Sequence, residues 1–258
     1  MSATTHWAPR STALPPVSTT QDRFAQRRRR IVDHGSLRPP VIIKDSMKRK
    51  IKPSKKGAVR VVAGASLPTG FGNFRIFGIE GKPGEEAVAI QHGKIASGTN
   101  GNDQKAPLVR VHSQCLTGDV FASQRCDCRA QLEFSLRKIA KEPSGLVLYL
   151  PQEGRGIGLI NKLKAYELQD AGLDTVEANR KLGFADDARD YEFAAEALKS
   201  LGIQAVRLLS NNPDKVTQLE QGGIRVVERV PCRPRTSHHS KSYLRTKQEK
   251  MGHLLPDL

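Results

Sequence analysis

Three of the four cysteines in this chain, Cys115, Cys126 and Cys128, lie in one short stretch of the sequence. Three thiolates and a vacant fourth position are the ligand count of a catalytic zinc site, whereas structural zinc sites usually have four protein ligands. Cys126 and Cys128 are two residues apart and do not share a helix face, so this pair predicts a turn or a helix start. The alternative is a group of reduced, buried cysteines that pack as small hydrophobic side chains. The spacing alone does not decide between these interpretations.

The chain has 258 residues, of which 38% are hydrophobic, a length that suits one large or two small domains. No apolar run approaches the roughly 20 residues that a membrane helix requires. The head of the chain lacks the apolar segment of a secretory signal. Clustered cysteines without a disulfide framework are typical of metal chemistry in a reducing compartment. These features predict a cytoplasmic protein without a membrane segment.

Positive charge is concentrated in the head of the chain. Residues 1–60 hold 15 lysines and arginines against 3 aspartates, and therefore +12 of the total charge of +16. Residues 1–56 are rich in Ser, Thr and Pro and lack sustained apolar periodicity, which predicts a disordered basic N-terminal extension. Its charge runs, such as Arg27–Arg30, suit either an electrostatic tether to nucleic acid or a membrane, or a solvated tail, and we favour the tail. A folded domain is then expected at residues 57–258.

The sequence pattern of residues 57–258 predicts a mixed α/β fold with a β-rich first half. Between residues 59 and 113, short runs of Val, Ile and Phe alternate with Gly and Pro, which is typical of a mostly antiparallel meander. The second half alternates helices, predicted at 129–141, 159–171 and 191–201, with strands, predicted at 145–151, 205–210 and 224–230. The spacing of Leu159, Leu163 and Tyr166 predicts the buried face of the helix at 159–171. A last helix is expected near the C-terminus.

A glycine-rich loop follows the strand at 145–151. Its glycines, Gly154, Gly156 and Gly158, do not match the dinucleotide signature G-x-G-x-x-G, which disfavours a dinucleotide fold. A turn of this kind still brings the backbone close to a ligand, with Glu153 and Arg155 at its rim. An ordinary left-handed turn would explain the glycines but not the flanking charges.

The loop SNNPDK follows the strand at 205–210. Ser210, Asn211 and Asn212 are capping residues, and Pro213 suits the first position of a helix. A helix start of this kind holds phosphate, and Lys215 supplies positive charge. Capping alone explains every residue of the loop except Lys215.

These stretches together resemble the GTP cyclohydrolase II family, which opens the guanine ring of GTP at the start of riboflavin synthesis. The matching segments include RVHSQCLTGD, RCDC, QEGRGIGLINK, AYELQDAG, RLLSNNPDK and TKQEKMGHLL, in the family's order. They extend from Val59 to the end of the chain. The resemblance implies a GTP cyclohydrolase II-like fold and a catalytic domain at 57–258. Because the basic head is short, we expect no dihydroxybutanone phosphate synthase domain, which often accompanies the family.

The resemblance also implies roles for individual residues. The implied zinc ligands are Cys115, Cys126 and Cys128. Tyr166 corresponds to an active-site tyrosine, Asp187 to a proton acceptor and Arg189 to a nucleophile toward the α-phosphorus. The implied GTP contacts are Arg110, Val111, His112, Ser113, Gln114, Gln131, Glu153, Gly154, Arg155, Thr175, Ser210 and Lys215. Mg²⁺ is expected beside the triphosphate, and the family is generally homodimeric.

The implied chemistry explains these residue types. Opening the ring requires hydroxide at carbon 8 of guanine, and zinc lowers the pKa of its bound water from 15.7 to about 7. A second hydrolysis releases formate, and pyrophosphate leaves where cations such as Arg155, Lys215 and Arg189 spread phosphoryl charge. The expected pyrimidine product is 2,5-diamino-6-(5-phospho-ribosylamino)pyrimidin-4(3H)-one. Because a guanidinium has a pKa above 12, charge stabilisation is the conservative role for Arg189.

Three positions depart from the family pattern. Gln114 stands where the family usually has Glu, Arg129 where it has Gly, and Ser210 where it has Thr. Gln114 removes a negative charge beside the predicted metal, which predicts an effect on metal preference and rate. One alternative is therefore a homologue that is impaired or stops at a formamide intermediate. A zinc-bearing nucleic-acid-binding module is disfavoured, because only 5% of the residues are aromatic and a fourth nearby ligand is lacking.

Overall fold

The structure, a computed structural model, describes residues 58–95 and 106–234 and the isolated positions 248, 252 and 254. All of these residues lie in the unit that spans Pro53–Leu258. The predicted extension at 1–56 lies outside the described residues, as does nearly all of the segment predicted to form a C-terminal helix. Within the described ranges, no helix has the length and apolar character needed to cross a membrane.

The described strands form one mixed sheet. In order across the sheet they are β1 (Arg60–Thr69), β2 (Gly72–Glu80), β3 (Glu86–Gly93), β5 (Ser144–Leu150), β4 (Leu108–Ser113), β6 (Ala205–Leu209) and β7 (Arg225–Val230). The pairs among β1, β2, β3 and β5 are antiparallel. The pairs among β5, β4, β6 and β7 are parallel. This sheet confirms the mixed α/β class and its β-rich first half.

Strand β4 departs from the predicted meander. It lies between β5 and β6 and runs parallel to both, so the prediction that it continues the antiparallel run is wrong. A parallel pair needs a crossover connection, and helix α2 (Cys128–Ile139) supplies it between β4 and β5. The residues of β4 are buried up to His112, as expected of a strand covered on both faces.

The other helices are α1 (Leu116–Asp119), α3 (Leu159–Asp170), α4 (Thr175–Lys181), α5 (Glu192–Ser200) and α6 (Pro213–Gln221). The bounds of α2, α3 and α5 agree with the sequence predictions to within about two residues, the usual uncertainty of helix ends. Helix α4 was not predicted, although Asp174 and Glu177 form a capping box at its start. Helix α6 begins as predicted, with Asn212 as its cap and Pro213 in the first position.

The predicted buried face of α3 is wrong at Leu163, which is 43% exposed. Leu159 is only half-buried, and Ala165 is the buried residue of the helix. The inward stripe of α3 faces the cavity described below and consists of Lys162, Ala165, Tyr166 and Gln169. These four residues have the i, i+3, i+4, i+7 spacing of one helix face. Because that face borders a polar cavity, an apolar pattern does not mark it.

The core packs against both faces of the central strands. On one face Leu148 of β5 packs in the same cluster as Leu198 of α5. On the other face Val147 packs in a cluster with Ile139 of α2. Successive residues of a strand point to opposite faces, so β5 is buried on both sides. Because β4, β5 and β6 run parallel, their carboxyl ends meet at one edge of the sheet. Open parallel sheets bind ligands at this edge.

Leu148→Ala is expected to lower the free energy of unfolding by about 2–5 kcal/mol, because the leucine is fully buried in the central strand. Leu163→Ala, the same change at an exposed position of α3, is the control. It should alter the free energy of unfolding by about 0.5 kcal/mol or less. Urea denaturation of both variants measures the difference. Equal losses would contradict the assignment of Leu163 to the surface.

Candidate active site

The loops that follow β4, β5 and β6 surround one cavity. Ser113 ends β4, Glu153 follows β5 and Ser210 follows β6, and all three residues line the cavity. The structure thus brings together residues that are far apart in the sequence. The other predicted site residues that line the cavity are Arg110, His112, Gln114, Cys115, Cys126, Cys128, Gln131, Gly154, Arg155, Tyr166, Thr175, Arg189 and Lys215.

Two predicted site residues do not line the cavity. Val111 belongs to the hydrophobic core, and its backbone carbonyl accepts a hydrogen bond of 2.9 Å from Nζ of Lys215. Its contribution to the site is therefore to hold a cation in place. Asp187 is paired with Arg189, which does line the cavity.

The three clustered cysteines converge on one point. Cys115 caps α1, Cys128 is the first residue of α2, and Cys126 precedes it in the loop. Their sulfur atoms lie within 4.8 Å of one another, and those of Cys115 and Cys126 are 3.6 Å apart. Two sulfurs that share a tetrahedral metal ion, with bonds of about 2.3 Å, lie roughly 3.8 Å apart. The donor set therefore fits a metal ion, and the predicted turn and helix start are present.

Gly118 permits this close approach of the sulfur atoms. A Cβ atom at this position would lie 3.0 Å from Sγ of Cys126 and 3.1 Å from Sγ of Cys115. Contacts this short are tighter than normal packing allows, so a larger residue would displace the sulfurs. The α1 turn thus needs a glycine where it passes the cluster.

The Cys115 thiol is the most acidic of the three. Its pKa is lowered, chiefly because the thiols of Cys126 and Cys128 donate hydrogen bonds to its sulfur. Nζ of Lys162, 3.1 Å from the same sulfur, lowers the pKa further. Since the thiolate is the form that binds metals, Cys115 is prepared to act as a ligand.

The carboxylate of Asp119 joins the loop that carries Cys115 to side chains of the sheet. Its carboxylate accepts hydrogen bonds from the Cys115 backbone N–H at 3.0 Å and from the Tyr149 hydroxyl at 2.9 Å. Nε2 of His112 lies 3.2 Å from the same carboxylate. Burial lowers the pKa of His112, although Asp119 opposes this shift, so the imidazole is neutral at pH 7. Nε2 then donates to Asp119.

The turn after β5 is tied to the loop that carries Asp187. Gly154 and Arg155 have φ angles of 62° and 61°, and Arg155 is strained in this left-handed conformation. The Ala188 N–H donates a hydrogen bond of 3.2 Å to the Arg155 carbonyl, and Nη1 of Arg155 donates to the Asp186 carbonyl at 3.3 Å. At Gly156, a Cβ atom would lie 3.0 Å from the carbonyl oxygen of Ala188. Close packing of the two loops therefore maintains the strained turn.

Two cations of the cavity pack against one tyrosine. Nζ of Lys215 lies 4.8 Å and Cζ of Arg189 lies 5.8 Å from the ring centroid of Tyr191, which is fully buried. Asp187 accepts hydrogen bonds from Nε and Nη2 of Arg189. Burial raises the pKa of Asp187, but these hydrogen bonds outweigh burial and lower it overall. Asp187 is therefore ionised at neutral pH and orients a charged Arg189.

Arg110 is also locked in position. One terminal nitrogen donates to the Leu209 carbonyl at 3.1 Å and the other to Oε1 of Gln131 at 2.5 Å. The amide nitrogen of Gln131 in turn donates to Asp127. This chain of hydrogen bonds links β4, α2 and the end of β6. Arg110 and Gln131 thus form a rigid part of the cavity wall.

Sequence reasoning missed several residues of the site. Lys162 and Asp119 lie within the matching segments QEGRGIGLINK and RVHSQCLTGD, but the sequence predicts no role for them or for Tyr191, because their roles depend on tertiary contacts. Lys162 and Tyr166 are four residues apart on α3, as are Thr175 and Asn179 on α4, and all four line the cavity. A search for polar residues at this spacing would have found Lys162 and Asn179.

Comparison with known proteins decides the family. A family model described as GTP cyclohydrolase II matches residues 59–231. A GTP cyclohydrolase-2 from Buchnera aphidicola subsp. Acyrthosiphon pisum is 51% identical over 77% of this chain and 100% of the relative. A GTP cyclohydrolase-2 from Pseudomonas syringae pv. tomato is 52% identical over 75% of this chain and 92% of the relative. This chain belongs to the GTP cyclohydrolase II family.

Membership identifies the chain as a hydrolase of the GTP cyclohydrolase II type and confirms the resemblance and the fold. A second kind of relative is longer. The riboflavin biosynthesis protein RibBA from Bacillus velezensis is 53% identical over 74% of this chain, and the match covers 47% of that relative. The chain therefore spans about half the length of curated relatives of this kind and nearly all of the GTP cyclohydrolase-2 relatives.

The structure locates the three positions at which the resemblance predicts a departure from the family pattern. Arg129 lies on the outer surface of α2, where its Nε donates to Glu133 at 2.9 Å, so this change does not reach the cavity. The hydroxyl of Ser210 accepts a hydrogen bond of 3.1 Å from the Asn212 N–H, a contact that Thr would also make. Gln114 lines the cavity directly beside Cys115. Gln114 is therefore the departure that bears on the chemistry of the site.

Tyr191→Leu is expected to weaken GTP binding by roughly 30-fold, because buried cation–π contacts contribute about 2 kcal/mol. Tyr191→Phe keeps the ring under both cations and should bind GTP nearly as well as the unchanged protein. Equilibrium binding to metal-stripped protein, in which turnover is prevented, measures both affinities. Equal weakening in the two variants would show that the ring itself does not hold the cations.

Proposed function

We propose that this chain hydrolyses GTP, with zinc as cofactor, to 2,5-diamino-6-(5-phospho-ribosylamino)pyrimidin-4(3H)-one, formate and pyrophosphate, the first step of riboflavin biosynthesis. One observation carries this proposal: a single cavity is lined both by three converging thiols and by cations suited to a triphosphate. Family membership supports GTP as the substrate. The two sets of residues match the two ends of that molecule, the base and the phosphates.

The metal would be held by Cys115, Cys126 and Cys128. Thiolates are soft ligands that favour zinc among the common divalent ions. Three protein ligands leave a fourth position for water or substrate, as in catalytic zinc sites. When bound, the ion supplies activation of water at neutral pH, because it lowers the pKa of that water to about 7.

Tyr166 is proposed to act on the guanine base. Its hydroxyl lies 3.1 Å from Oγ1 of Thr117, and the guanidinium of Arg125 covers its ring with Cζ 4.7 Å from the centroid. Burial raises the pKa of Tyr166, so the hydroxyl is protonated at neutral pH. The side chain is thus a fixed hydrogen-bond donor in the cavity. It can donate a hydrogen bond or a proton to a ring nitrogen as the ring opens.

Arg189 is proposed to stabilise charge at the α-phosphate. Because Asp187 is ionised and pairs with it, the guanidinium stays protonated and is a poor nucleophile. We therefore assign Arg189 to electrostatic stabilisation and Asp187 to its orientation. Mg²⁺ would enter with the triphosphate, since magnesium usually binds through substrate phosphates.

The remaining GTP contacts are proposed from the same cavity. They are Arg110, His112, Ser113, Gln114, Gln131, Glu153, Gly154, Arg155, Thr175, Ser210 and Lys215, whereas Val111 acts indirectly, because its carbonyl holds Nζ of Lys215. We also propose a homodimer that acts in the cytoplasm, where a reducing environment keeps the three thiols available for metal. The resemblance supports the dimer.

A second candidate outcome follows from Gln114. This neutral side chain lines the cavity beside the first predicted ligand, where the family usually has a carboxylate. The loss of this negative charge would slow the second hydrolysis and release a formamide product. Measuring formate for each GTP consumed separates the two reactions, because the formamide product retains that carbon.

Cys126→Ser should lose zinc and ring opening while the fold remains, because the core clusters do not include this residue. Cys232→Ala is the matched control: it removes a buried thiol outside the cluster and should keep about one zinc per chain. Metal analysis and circular dichroism of both variants measure these effects. Full activity in a demonstrably zinc-free preparation would contradict the proposal.

Arg189→Ala should suppress pyrophosphate release and ring opening together, by roughly 10²–10³-fold, if charge stabilisation at the phosphate precedes ring opening. Arg180→Ala is the control, because Arg180 also pairs with an aspartate but is exposed and does not line the cavity. Chromatography of the products decides the order of steps. A ring-opened triphosphate formed at nearly the normal rate would show that the two ends of GTP react independently.

A further inference from the structure

The sulfur of Cys115 has a largely buried lysine as a neighbour. Nζ of Lys162 lies 3.1 Å from Sγ of Cys115 and 2.7 Å from Oε1 of Glu153. The two charged side chains are 11% and 9% exposed. A buried ion pair contributes little net stability, because the cost of desolvation offsets the attraction. The pair therefore needs an explanation other than stability of the fold.

Glu153 is engaged on both carboxylate oxygens. Oε2 accepts a hydrogen bond of 2.6 Å from the Leu116 N–H, and Oε1 accepts one of 2.9 Å from the Gly154 N–H as well as the lysine. Leu116 is the first residue of α1 and follows Cys115 directly. Glu153 thus connects the turn after β5 to the backbone that carries the first cysteine of the cluster.

We propose that Lys162 and Glu153 are positioning residues of the metal centre: Lys162 donates a hydrogen bond to the Cys115 thiolate, and Glu153 holds both Lys162 and the α1 backbone. This inference rests on the metal site of the proposed function. It gives Glu153 a role in shaping the site, which differs from the direct GTP contact that the family resemblance implies.

The charges of the site give a physical reason for this arrangement. Three thiolates around a divalent ion leave one net negative charge in a place largely shielded from water. The ammonium group of Lys162 lies beside the Cys115 sulfur, where it attracts this negative charge, and it keeps a donor for Glu153, whose carboxylate fixes its position. Partners that hydrogen-bond to metal ligands orient them and commonly change metal affinity by about 10–100-fold when removed.

The binding of metal, rather than turnover, tests this role. The variants are Lys162→Met and Glu153→Gln, with Lys162→Arg as the conservative replacement and Lys164→Met as a control on the exposed side of α3. Zinc affinity is measured by competition with a chromophoric chelator. Cobalt(II) replaces zinc in a parallel series, where the thiolate-to-cobalt charge-transfer band reports on the sulfur ligands.

Lys162→Met and Glu153→Gln should each bind zinc about 10–100-fold more weakly and shift the cobalt band. Combining them should cost less than the sum of the two effects, since part of the effect of Glu153 is exerted through Lys162 and its contact to Cys115. Lys162→Arg should keep part of the zinc affinity that Lys162→Met loses. Lys164→Met should bind zinc as tightly as the wild-type protein.

Three results would overturn the inference. Folded Lys162→Met that binds zinc as tightly as the unchanged protein would exclude Lys162 as a partner of the metal centre. A loss of GTP affinity with unchanged zinc affinity would make Lys162 a substrate contact instead. If the wild-type protein binds no zinc, the metal part of the proposed function is wrong, and so is the inference. Should Lys162→Met fail to fold, Glu153→Gln and Lys162→Arg give the same decision.

Discussion

The parallel packing of β4 between β5 and β6 is the constraint on which this site depends. Parallel strands end at the same edge of a sheet, so three loops with unrelated sequences meet there. The cysteine cluster begins after β4, the strained turn follows β5 and the cap of α6 follows β6. Burial of β4 and β5 on both faces makes their register hard to change, because a slip would move every side chain to the other face.

The sheet sets the approximate positions of the site residues, and hydrogen bonds from charged side chains fix these positions more closely. Glu153 reaches the backbone of α1, Arg155 contacts the backbone around Asp187, and Lys215 reaches the carbonyl of Val111. Each of these contacts joins a charged side chain to a main-chain group on a different segment of the chain. Such contacts are stronger than neutral hydrogen bonds and lie in a mostly buried setting. The site is therefore largely formed before a ligand arrives.

The sequence was informative where local chemistry determines structure. The C-x-C spacing predicted a helix start, and α2 begins at Cys128. Asn212 and Pro213 predicted the start of α6 for the same local reason. Prediction failed where tertiary contacts decide. The apolar run of β4 does not reveal the direction of its neighbours, and Leu163 has helical spacing but lies outside the core.

The missed site residues follow the same logic. Lys162, Asp119 and Tyr191 act mainly through contacts to groups that are distant in the sequence, such as Cys115 for Lys162, Tyr149 for Asp119 and Lys215 for Tyr191. A lysine within an amphipathic helix is ordinarily a solvated residue, so its burial beside a thiol is visible only in the fold. The family resemblance supplied most of the residues that line the cavity. It did not give a role to Lys162, Asp119 or Tyr191, which hold some of those residues in place.

The central claim is that one cavity joins a thiolate metal centre to a set of phosphate-binding cations and hydrolyses GTP at both ends. The most direct measurement is the amount of formate and pyrophosphate released per GTP consumed, with Mg²⁺ present, before and after zinc is removed and restored. The account predicts one formate and one pyrophosphate per GTP with zinc, and loss of formate without it. Formate release that is unchanged by the removal of zinc would contradict it.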